Sequence, residues 1–329
     1  MKVDVIEGIE RIDGFDKIDS IESFDSFDSL ESKERQTMKP SLILLLPPAA
    51  VLLSPVQANG QTTIDPAHPY AWGANIGWVN TRPSEPDGAV IGQALCAGYL
   101  WIANCGWINL GSGSPVNGWQ YANNSVTDWG VNRDGEGGLA GYAYGANVGW
   151  IVFEQTSGQP RVDLRTGDLA GYAWGANVGW ISLSNTMAHV RTTRLDVGPD
   201  MDADGIPDTF EWRRAGNLAA LQGGTHDADA DGQSDADEAG ADTDPLDASD
   251  LLAITAFLRG SAEDSLTWRS RPTRLYRIEA SLSLLPARWA NAADGLIGPP
   301  AGASTTQGVV TTEDAKRFYR VRAIVPLSE

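Results

Sequence analysis

A ten-residue aromatic motif occurs four times in this chain, and it restricts the fold more than any other feature. The copies are Y-A-W-G-A-N-I-G-W-V from Tyr70, Y-L-W-I-A-N-C-G-W-I from Tyr99, Y-A-Y-G-A-N-V-G-W-I from Tyr142 and Y-A-W-G-A-N-V-G-W-I from Tyr172. Their first residues are 29, 43 and 30 residues apart. Self-similarity at such a period is typical of an architecture built from one repeated supersecondary unit.

Each copy has the pattern of a β-hairpin. In the fourth copy Tyr172 and Trp174 alternate with Ala173, which predicts a strand with both rings on one face. The Gly-Ala-Asn that follows is turn chemistry, because Gly and Asn tolerate positive φ. The second strand is then predicted to place Val178 and Trp180 on a shared face. Apolar runs upstream of the third and fourth hairpins predict a further strand, so the unit is a three-stranded meander.

The repeated rings admit two interpretations. In the one that we favour, they form the shared core between neighbouring units, and Asn147 or Asn177 caps the turn. In the other, they are platforms on which sugars stack, as in a lectin-like or wall-binding protein. The residues that would stack are Tyr142, Tyr144, Trp150, Tyr172, Trp174 and Trp180.

The motif G-Y-A-W-G-A-N-V-G-W-I resembles a recurrent repeat of bacterial exported proteins, over residues 66–185. The resemblance implies export and defines no role. The only cysteines, Cys96 and Cys105, flank the first strand of the second hairpin, and they are too few for a cysteine metal site. Because an exported chain permits disulfides, a bond between these two cysteines is the corresponding prediction.

A secretory signal peptide is predicted at residues 38–58. Lys39 precedes an apolar run from Leu42 to Leu53, and small residues follow it as a cleavage site requires. The run is too short to cross a bilayer as a helix, and no second long apolar segment follows, so we expect no membrane span. Residues 1–37, a low-complexity Asp/Ser/Phe/Ile stretch, are interpreted as a disordered leader or a mis-assigned gene start.

Two acidic loops within residues 193–250 carry the sharpest chemical signal. Each fits the calcium pattern D-x-D-x-D-G-x5-E, the second 27 residues after the first. Calcium takes about six to eight oxygen ligands; Gly at position six allows the sharp turn and Glu at position twelve closes the shell. The predicted ligands are Asp200, Asp202, Asp204, Asp208 and Glu211, then Asp227, Asp229, Asp231, Asp235 and Glu238, with the main-chain oxygens of Ile206 and Gln233.

The phrases D-A-D-G-I-P-D-T-F-E and G-A-D-T-D-P-L-D, over about residues 196–250, resemble thrombospondin type 3 calcium repeats. The resemblance implies loop-and-helix units and further ligands at Asp242, Asp244 and Asp247. Dockerins also place two calcium loops in tandem, and a dockerin-like partner-binding role is a second alternative. A solvated acidic linker would not repeat Gly and Glu at fixed positions in two copies.

Residues 251–329 are predicted to form a small β-sandwich, because short strand signals alternate with Pro, Gly and Ser stretches. The phrases L-T-W-R-S and R-F-Y-R-V-R-A resemble a C-terminal β-module of exported bacterial proteins, a resemblance that implies no catalytic role. We expect the arginines of this segment to form a solvated strand face. They are Arg269, Arg271, Arg274 and Arg277.

The predicted fold class is therefore mainly β, with an aromatic β-hairpin/meander domain over residues 59–192, a calcium loop-helix segment over 193–250 and the C-terminal sandwich. A net charge of −19 favours cations and disfavours nucleic acid. With no P-loop, H-E-x-x-H or G-x-S-x-G motif, we expect no enzyme. The predicted function is a secreted or cell-surface calcium-binding structural or adhesion protein, whose partners include calcium and cell-surface polysaccharide or another surface protein. Glycan binding by the aromatic repeats is the alternative.

Overall fold

The computed structural model describes residues 61–293, 295–298, 300–310 and 317–328. The predicted leader (1–37) and signal peptide (38–58) lie outside the described residues. The described part is mainly β, as the sequence predicts, with 20 strands and two short helices. Within it, neither helix has the length and apolar character that a membrane crossing needs.

The four aromatic motifs form four consecutive hairpins of one closed sheet. The strands of this region are β1 Ile64–Gly73, β2 Gly77–Asn80, β3 Val90–Ile91, β4 Cys96–Ala97, β5 Tyr99–Ile102, β6 Gly106–Asn109, β7 Val131–Arg133, β8 Leu139–Gly145, β9 Gly149–Phe153, β10 Arg161–Val162, β11 Leu169–Ala170, β12 Tyr172–Gly175, β13 Gly179–Ser182 and β14 Val190–Thr192. Eight strands pair in the order β1-β2-β5-β6-β8-β9-β12-β13, every pair antiparallel. Strand β13 then pairs back with β1, which closes the sheet.

The predicted three-stranded meander is confirmed. Strand β7 pairs with β8, the first strand of the third hairpin. Strands β4 and β11 each lead, after one residue, into the first strand of the second and fourth hairpins, and they pair with β3 and β10. These three hairpins therefore each have an additional strand before them. The first hairpin receives its additional strand from β14, with Ile64 opposite Thr192 and Pro69 opposite Val190. The chain that follows the fourth unit therefore completes the first unit.

The rings lie on the outside of the closed sheet, so the interpretation that they form the shared core is wrong. Ala173 and Ile181 face inward and are 2% and 5% exposed, whereas Tyr172 and Trp180 are each 47% exposed. The other hairpins show the same alternation. A closed sheet of eight strands encloses only enough space for side chains to fill. Ala opposite Val or Ile fills it, and the larger rings are left outside.

The residue before the second strand of each hairpin belongs to the turn. Val178 was predicted to share a face with Trp180, but it lies in the turn and is 3% exposed. Ile76 and Val148 occupy the same position in their hairpins and are also buried in the main core. Cys105 takes this place in the second hairpin and packs against the same core. These residues fill the interior at the end of the sheet where the turns lie.

The predicted disulfide is not formed, since Cys96 and Cys105 are free thiols. Strand β5 lies between them, and its four residues span about 13 Å when extended. Disulfide-bonded cysteines have Cα atoms within about 7 Å. Cys96 is buried, and this burial raises the pKa of its thiol to about 12.

The repeated turn asparagine connects neighbouring hairpins instead of capping its own turn. Each of these bonds runs from Asn Nδ2 to a main-chain oxygen in the turn of the adjacent hairpin. The bonds are Asn75 to Val178 (3.2 Å), Asn147 to Cys105 (3.0 Å) and Asn177 to Val148 (3.1 Å). They add side-chain hydrogen bonds to the short main-chain pairing between hairpins.

The acidic segment contains both helices and a small core. Helix α1 covers Asp208–Arg214, and α2 covers Asp235–Ala241. Their shared core consists of three buried apolar residues, Ile206, Phe210 and Leu221. Apolar burial of this size contributes little against the cost of ordering two long loops.

The C-terminal residues form the predicted small sandwich of two antiparallel sheets. The strands are β15 Ile254–Leu258, β16 Glu263–Arg269, β17 Leu275–Ser281, β18 Ala290–Asn291, β19 Ser304–Val310 and β20 Phe318–Ile324. One sheet has the order β15-β16-β19 and the other β18-β17-β20. Trp268 of the first and Tyr276 of the second meet in the shared core, with ring centroids 5.7 Å apart. Leu327, beyond β20, packs against the core of the repeat region.

Removal of one inter-hairpin bond should weaken the closed sheet measurably. We expect Asn177→Ala to lower the free energy of unfolding by about 1 kcal/mol, the usual net contribution of one hydrogen bond. Asn104 holds the same turn position in the second hairpin, and no such bond from it is found among the described residues. Asn104→Ala is therefore the matched control, with a change within about 0.5 kcal/mol. Equal losses in urea denaturation would contradict the role given to Asn177.

Candidate metal centre

The two acidic loops have the same backbone conformation. Ala203 and Ala230, at position four of each loop, have φ of 60° and 62°. Gly205 and Gly232, at position six, have φ of 97° and 99°. A Cβ on either glycine would meet no neighbouring atom within 4 Å, so the backbone angle and not the space requires glycine there. The predicted sharp turn at position six is confirmed in both copies.

One set of main-chain donors shapes each loop. Asp200 accepts from the amides of Asp204 (3.2 Å) and Gly205 (3.0 Å), and Asp208 accepts from that of Met201 (2.8 Å). In the second loop the equivalent bonds are Asp231 N to Asp227 (3.2 Å), Gly232 N to Asp227 (2.9 Å) and Ala228 N to Asp235 (2.9 Å). These bonds within the protein hold the carboxylates at positions one and nine in place.

Carboxylate oxygens converge in both loops. In three groups of three residues, one carboxylate oxygen from each residue lies within 4.8 Å of those of the other two. These groups are Asp200, Asp202 and Asp208; Asp202, Asp204 and Glu211; and Asp227, Asp229 and Asp231. The first two groups share Asp202, and all four aspartates of the first loop add to the negative potential at Glu211. In the second loop, Asp229 and Asp231 add to the negative potential at Glu238.

Several of these oxygens are buried and have no hydrogen-bond partner. Both carboxylate oxygens of Glu211, which is 0% exposed, are unpaired, and so is Oδ2 of Asp208. In the second loop the unpaired atoms are Oε2 of Glu238, Oδ2 of Asp229 and Oδ2 of Asp231. Buried carboxylates without partners are costly and rare in folded proteins. Their convergence marks a place where a cation would supply the missing partner.

The electrostatics agree with the geometry. Burial, and then the negative charges of Asp202 and Asp204, raise the pKa of Glu211 to about 8. Burial likewise raises the pKa of Glu238 to about 7, against the hydrogen bond that it accepts from Thr243. Each glutamate at position twelve thus lies in a negative potential that a divalent cation would neutralise.

Position nine differs between the loops. Asp235 uses Oδ1 to accept from Ala228 N and Oδ2 to accept from Gln222 N (3.0 Å), and Oδ2 also lies 2.7 Å from His226 Nδ1. Asp208 keeps one oxygen unpaired. We therefore expect Asp208 to contact a cation directly and Asp235 to position the loop, with any metal contact through water. The main-chain oxygens of Ile206 and Gln233 stay predicted ligands.

The prediction of Asp242 as a ligand is wrong, because its carboxylate faces cations of the protein itself. Oδ1 of Asp242 pairs with Arg213 and lies 3.5 Å from Arg214, and Oδ2 lies 4.0 Å from Arg274. Asp244 lies 3.5 Å from Arg214, and so it also pairs with a guanidinium group. The implied ligand Asp247 instead accepts from Ser249.

The arginines of the C-terminal segment do not all form a solvated face, and sequence reasoning missed their role. Arg274 is 5% exposed, and its Nε and Nη2 donate to the carbonyl oxygens of Gly240 (2.7 Å) and Ala239 (3.0 Å). It therefore satisfies main-chain acceptors at the end of α2 while it neutralises Asp242. Arg271 pairs with Asp250. Together these contacts join the acidic segment to the sandwich.

A dipeptide between the loops connects the two centres. Gly223 N donates to Oδ2 of Asp204 at 2.7 Å, and Gln222 N donates to Oδ2 of Asp235 at 3.0 Å. Successive amides thus bond to a carboxylate of the first loop and to one of the second. A Cβ on Gly223 would lie 1.7 Å from the main-chain oxygen of Asp204, so only glycine fits.

No known protein family, curated protein or solved structure matches this chain. The likeness to thrombospondin type 3 repeats therefore stays a resemblance carried by the motif. The interpretation of the acidic loops depends on their own geometry: a shared backbone conformation, converging oxygens and buried unpaired carboxylates.

A substitution in the connecting dipeptide should affect both loops. Gly223→Ala would overpack against Asp204, which typically costs about 1–3 kcal/mol, and we expect weaker cation binding at both loops. Gly240→Ala, in α2, is the control because its Cβ would meet nothing within 4 Å. Calcium titration of both variants checks this. An unchanged isotherm for Gly223→Ala would show that the dipeptide does not connect the loops.

The stability contributed by Asp242 should depend on pH. Burial opposes its ionisation, but Arg274 and Arg213 hold the pKa of this carboxyl below its ordinary value. Its contribution is therefore complete above the unfolded value of about 3.9 and is lost as pH falls through the lower folded value. Asp242→Asn should cost about 3–5 kcal/mol near pH 7, because it leaves Arg274 buried without its partner.

This difference between Asp242→Asn and the unsubstituted chain should shrink as the pH falls below about 4. Urea denaturation of both proteins in the presence of a chelator, from pH 7 down to pH 3, measures it. A difference independent of pH would contradict the ion pairs described for Asp242.

Proposed function

We propose that this protein binds calcium at residues 200–211 and 227–238, and that it is a secreted or cell-surface structural or adhesion protein without catalytic activity. The observation that carries the proposal is Glu211. It is fully buried, both of its carboxylate oxygens lack a partner, and it shares one region with Asp202 and Asp204.

The chemistry of the donors supports calcium over other metals. The converging atoms are all carboxylate oxygens, which suit calcium, magnesium and manganese and not the softer transition metals. His226 is bonded to Asp235 and is not part of the converging group. Magnesium demands a small, near-ideal octahedron, whereas calcium accepts many oxygens in a flexible shell. A loop with five carboxylates and a carbonyl oxygen fits calcium better.

The role that we propose for calcium is structural. The acidic segment has only three buried apolar residues in its core, yet it contacts both flanking regions. Trp212 of α1 lies against Gly118 of the repeat region. On the other side, Arg274 of the C-terminal segment bonds to carbonyl oxygens at the end of α2 and pairs with Asp242. A bound cation stabilises by mass action, by about 2.7 kcal/mol for one site when calcium is at 100 times Kd. Calcium would thus keep the two β regions in a fixed arrangement.

Export is consistent with this role. Extracellular calcium modules bind at about 0.1–1 mM, a concentration that free calcium reaches outside cells and not inside them. The signal-like stretch at residues 38–58 supports the same location. We therefore assign the protein to the outside of the cell, where calcium saturates the two loops.

Calorimetric titration of the exported chain with calcium tests the proposal. We expect Glu211→Gln and Glu238→Gln each to weaken binding at one loop by at least about tenfold, because even outer-shell substitutions cost about 10–100-fold. Calcium should also raise the melting temperature of the unsubstituted chain, and a chelator should reverse the increase.

The matched control is Asp237→Asn, which removes the same charge from an exposed position of α2, one residue before Glu238. It should leave the affinity within about twofold, since an exposed charge that points away from the buried carboxylates is screened by water and salt. If calcium produces no binding heat and no change in melting, or if Asp237→Asn weakens binding as much as Glu238→Gln, the proposal fails.

A further inference from the structure

The outer face of the closed sheet carries a belt of aromatic rings. Sixteen side chains point outward from the paired positions of the four hairpins, and twelve of them are Trp or Tyr. We call these twelve the aromatic belt. They are Tyr70, Trp72, Trp78, Tyr99, Trp101, Trp107, Tyr142, Tyr144, Trp150, Tyr172, Trp174 and Trp180.

The belt is open to solvent. Eight of its rings are between 37% and 47% exposed, with Trp107, Tyr172 and Trp180 at 47%. Exposed aromatic surface of this extent is unusual in a folded protein and marks a binding surface more often than not. Because the sheet closes on itself, this surface is convex and continues around four hairpins. It suits a ligand that lies along the surface, and it does not enclose a small molecule.

The rings form one cluster in each hairpin. In the first three hairpins the tryptophan of the second strand stands at the centre, and both rings of the first strand contact it. In the fourth, Trp180 contacts Tyr172, with ring centroids 6.2 Å apart. Trp78 has its centroid 4.8 Å from that of Trp72 and 6.0 Å from that of Tyr70, at interplanar angles of 67° and 66°. The second and third hairpins repeat these distances within about 0.1 Å. The clusters are therefore preformed, which lowers the ordering cost of binding.

The charge of the outer face narrows the choice of ligand. None of the sixteen outward side chains is charged, in a chain of net charge −19. The four that are not aromatic are Asn80, Asn109, Val152 and Ser182. Cross-strand ring pairs alone would stabilise the hairpins, but this does not explain why Lys and Glu are absent from every outward position. An uncharged surface of rings with amide and hydroxyl groups at its margin complements an uncharged polyol.

We propose that the aromatic belt binds an uncharged polysaccharide. The apolar faces of the sugar rings would stack on Trp and Tyr, while their hydroxyl groups bond to the margin formed by Asn80, Asn109 and Ser182. Four clusters on one surface bind a long chain together more tightly than any one of them could. This site is separate from the acidic loops and does not need calcium.

Other occupants are disfavoured by charge. A second copy of the chain also carries −19, and the two would repel each other on approach. An anionic membrane would repel the protein in the same way. Both are nevertheless outcomes that the experiment must distinguish, because exposed Trp and Tyr are also frequent at protein and membrane interfaces.

The test is affinity electrophoresis of the exported chain through gels that contain hydroxyethyl cellulose, mixed-linkage β-glucan, soluble starch, dextran or galactomannan. Intrinsic tryptophan fluorescence with acrylamide as quencher runs in parallel. We expect at least one polysaccharide to retard the chain and to protect its tryptophans from quenching, equally with calcium and with a chelator. Polygalacturonate, which is anionic, should do neither.

The variant Trp78→Ala/Trp107→Ala/Trp180→Ala removes the centre of three clusters and should weaken binding by about tenfold or more, the loss typical of an aromatic hot spot. Phe257→Ala is the matched control, since Phe257 is 49% exposed and lies in the sandwich. It should bind as the unsubstituted chain does. Circular dichroism checks the fold, which the aliphatic interior should preserve. The quenching experiment tests the proposal on the unsubstituted chain, so its result does not depend on how any variant folds.

Three results would overturn the proposal. The first is an absence of retardation and of protection with all five uncharged polysaccharides. The second is a dimer in light scattering that the triple substitution dissociates, and the third is binding to phosphatidylcholine vesicles that the same substitution abolishes. Since polysaccharide binding is measured with and without calcium, its failure leaves the calcium proposal untouched, and the reverse holds as well.

Discussion

The limited space inside a closed sheet of eight strands determines how the repeat region is built. Ala71, Ala143 and Ala173 face Val79, Ile151 and Ile181 across the strand pairs of their hairpins. Because these residues already fill the interior, the larger rings can only lie outside. The aromatic surface is therefore a consequence of the packing, and the turn residues Ile76, Val148 and Val178 close one end of the same core.

The period of the motif and the chemistry of its turn predicted the hairpins, the meander and the mainly β class. The direction in which the rings point could not be predicted in this way, because both faces of each strand are apolar. Alternation between Tyr or Trp on one side and Ala or Ile on the other separates two sizes, not two polarities. Large rings usually dominate cores, and only the closure of the sheet, a long-range property, reverses that preference here.

In the acidic segment too, local features could be predicted from the sequence and long-range contacts could not. Regular spacing predicted the loops, the glycines at positive φ and the converging side chains, since all of these are local. The place of Asp242 depends on Arg274, 32 residues further along the chain, and on Arg213 in α1. No pattern within the loops could indicate that partnership. The resemblance implied a calcium ligand at Asp242, whereas the structure pairs this carboxylate with guanidinium groups of the protein.

Strand β14 gives the repeat region a property that open arrays of repeats do not have. It comes from beyond the fourth hairpin and completes the first. An open solenoid can gain or lose a unit at modest cost, because each unit touches only its neighbours. In this region the circumference and the interior volume both depend on having four units. Duplication or loss of one unit would change the closed sheet itself. Lineages that retain this architecture should therefore vary the loops between units and keep four units.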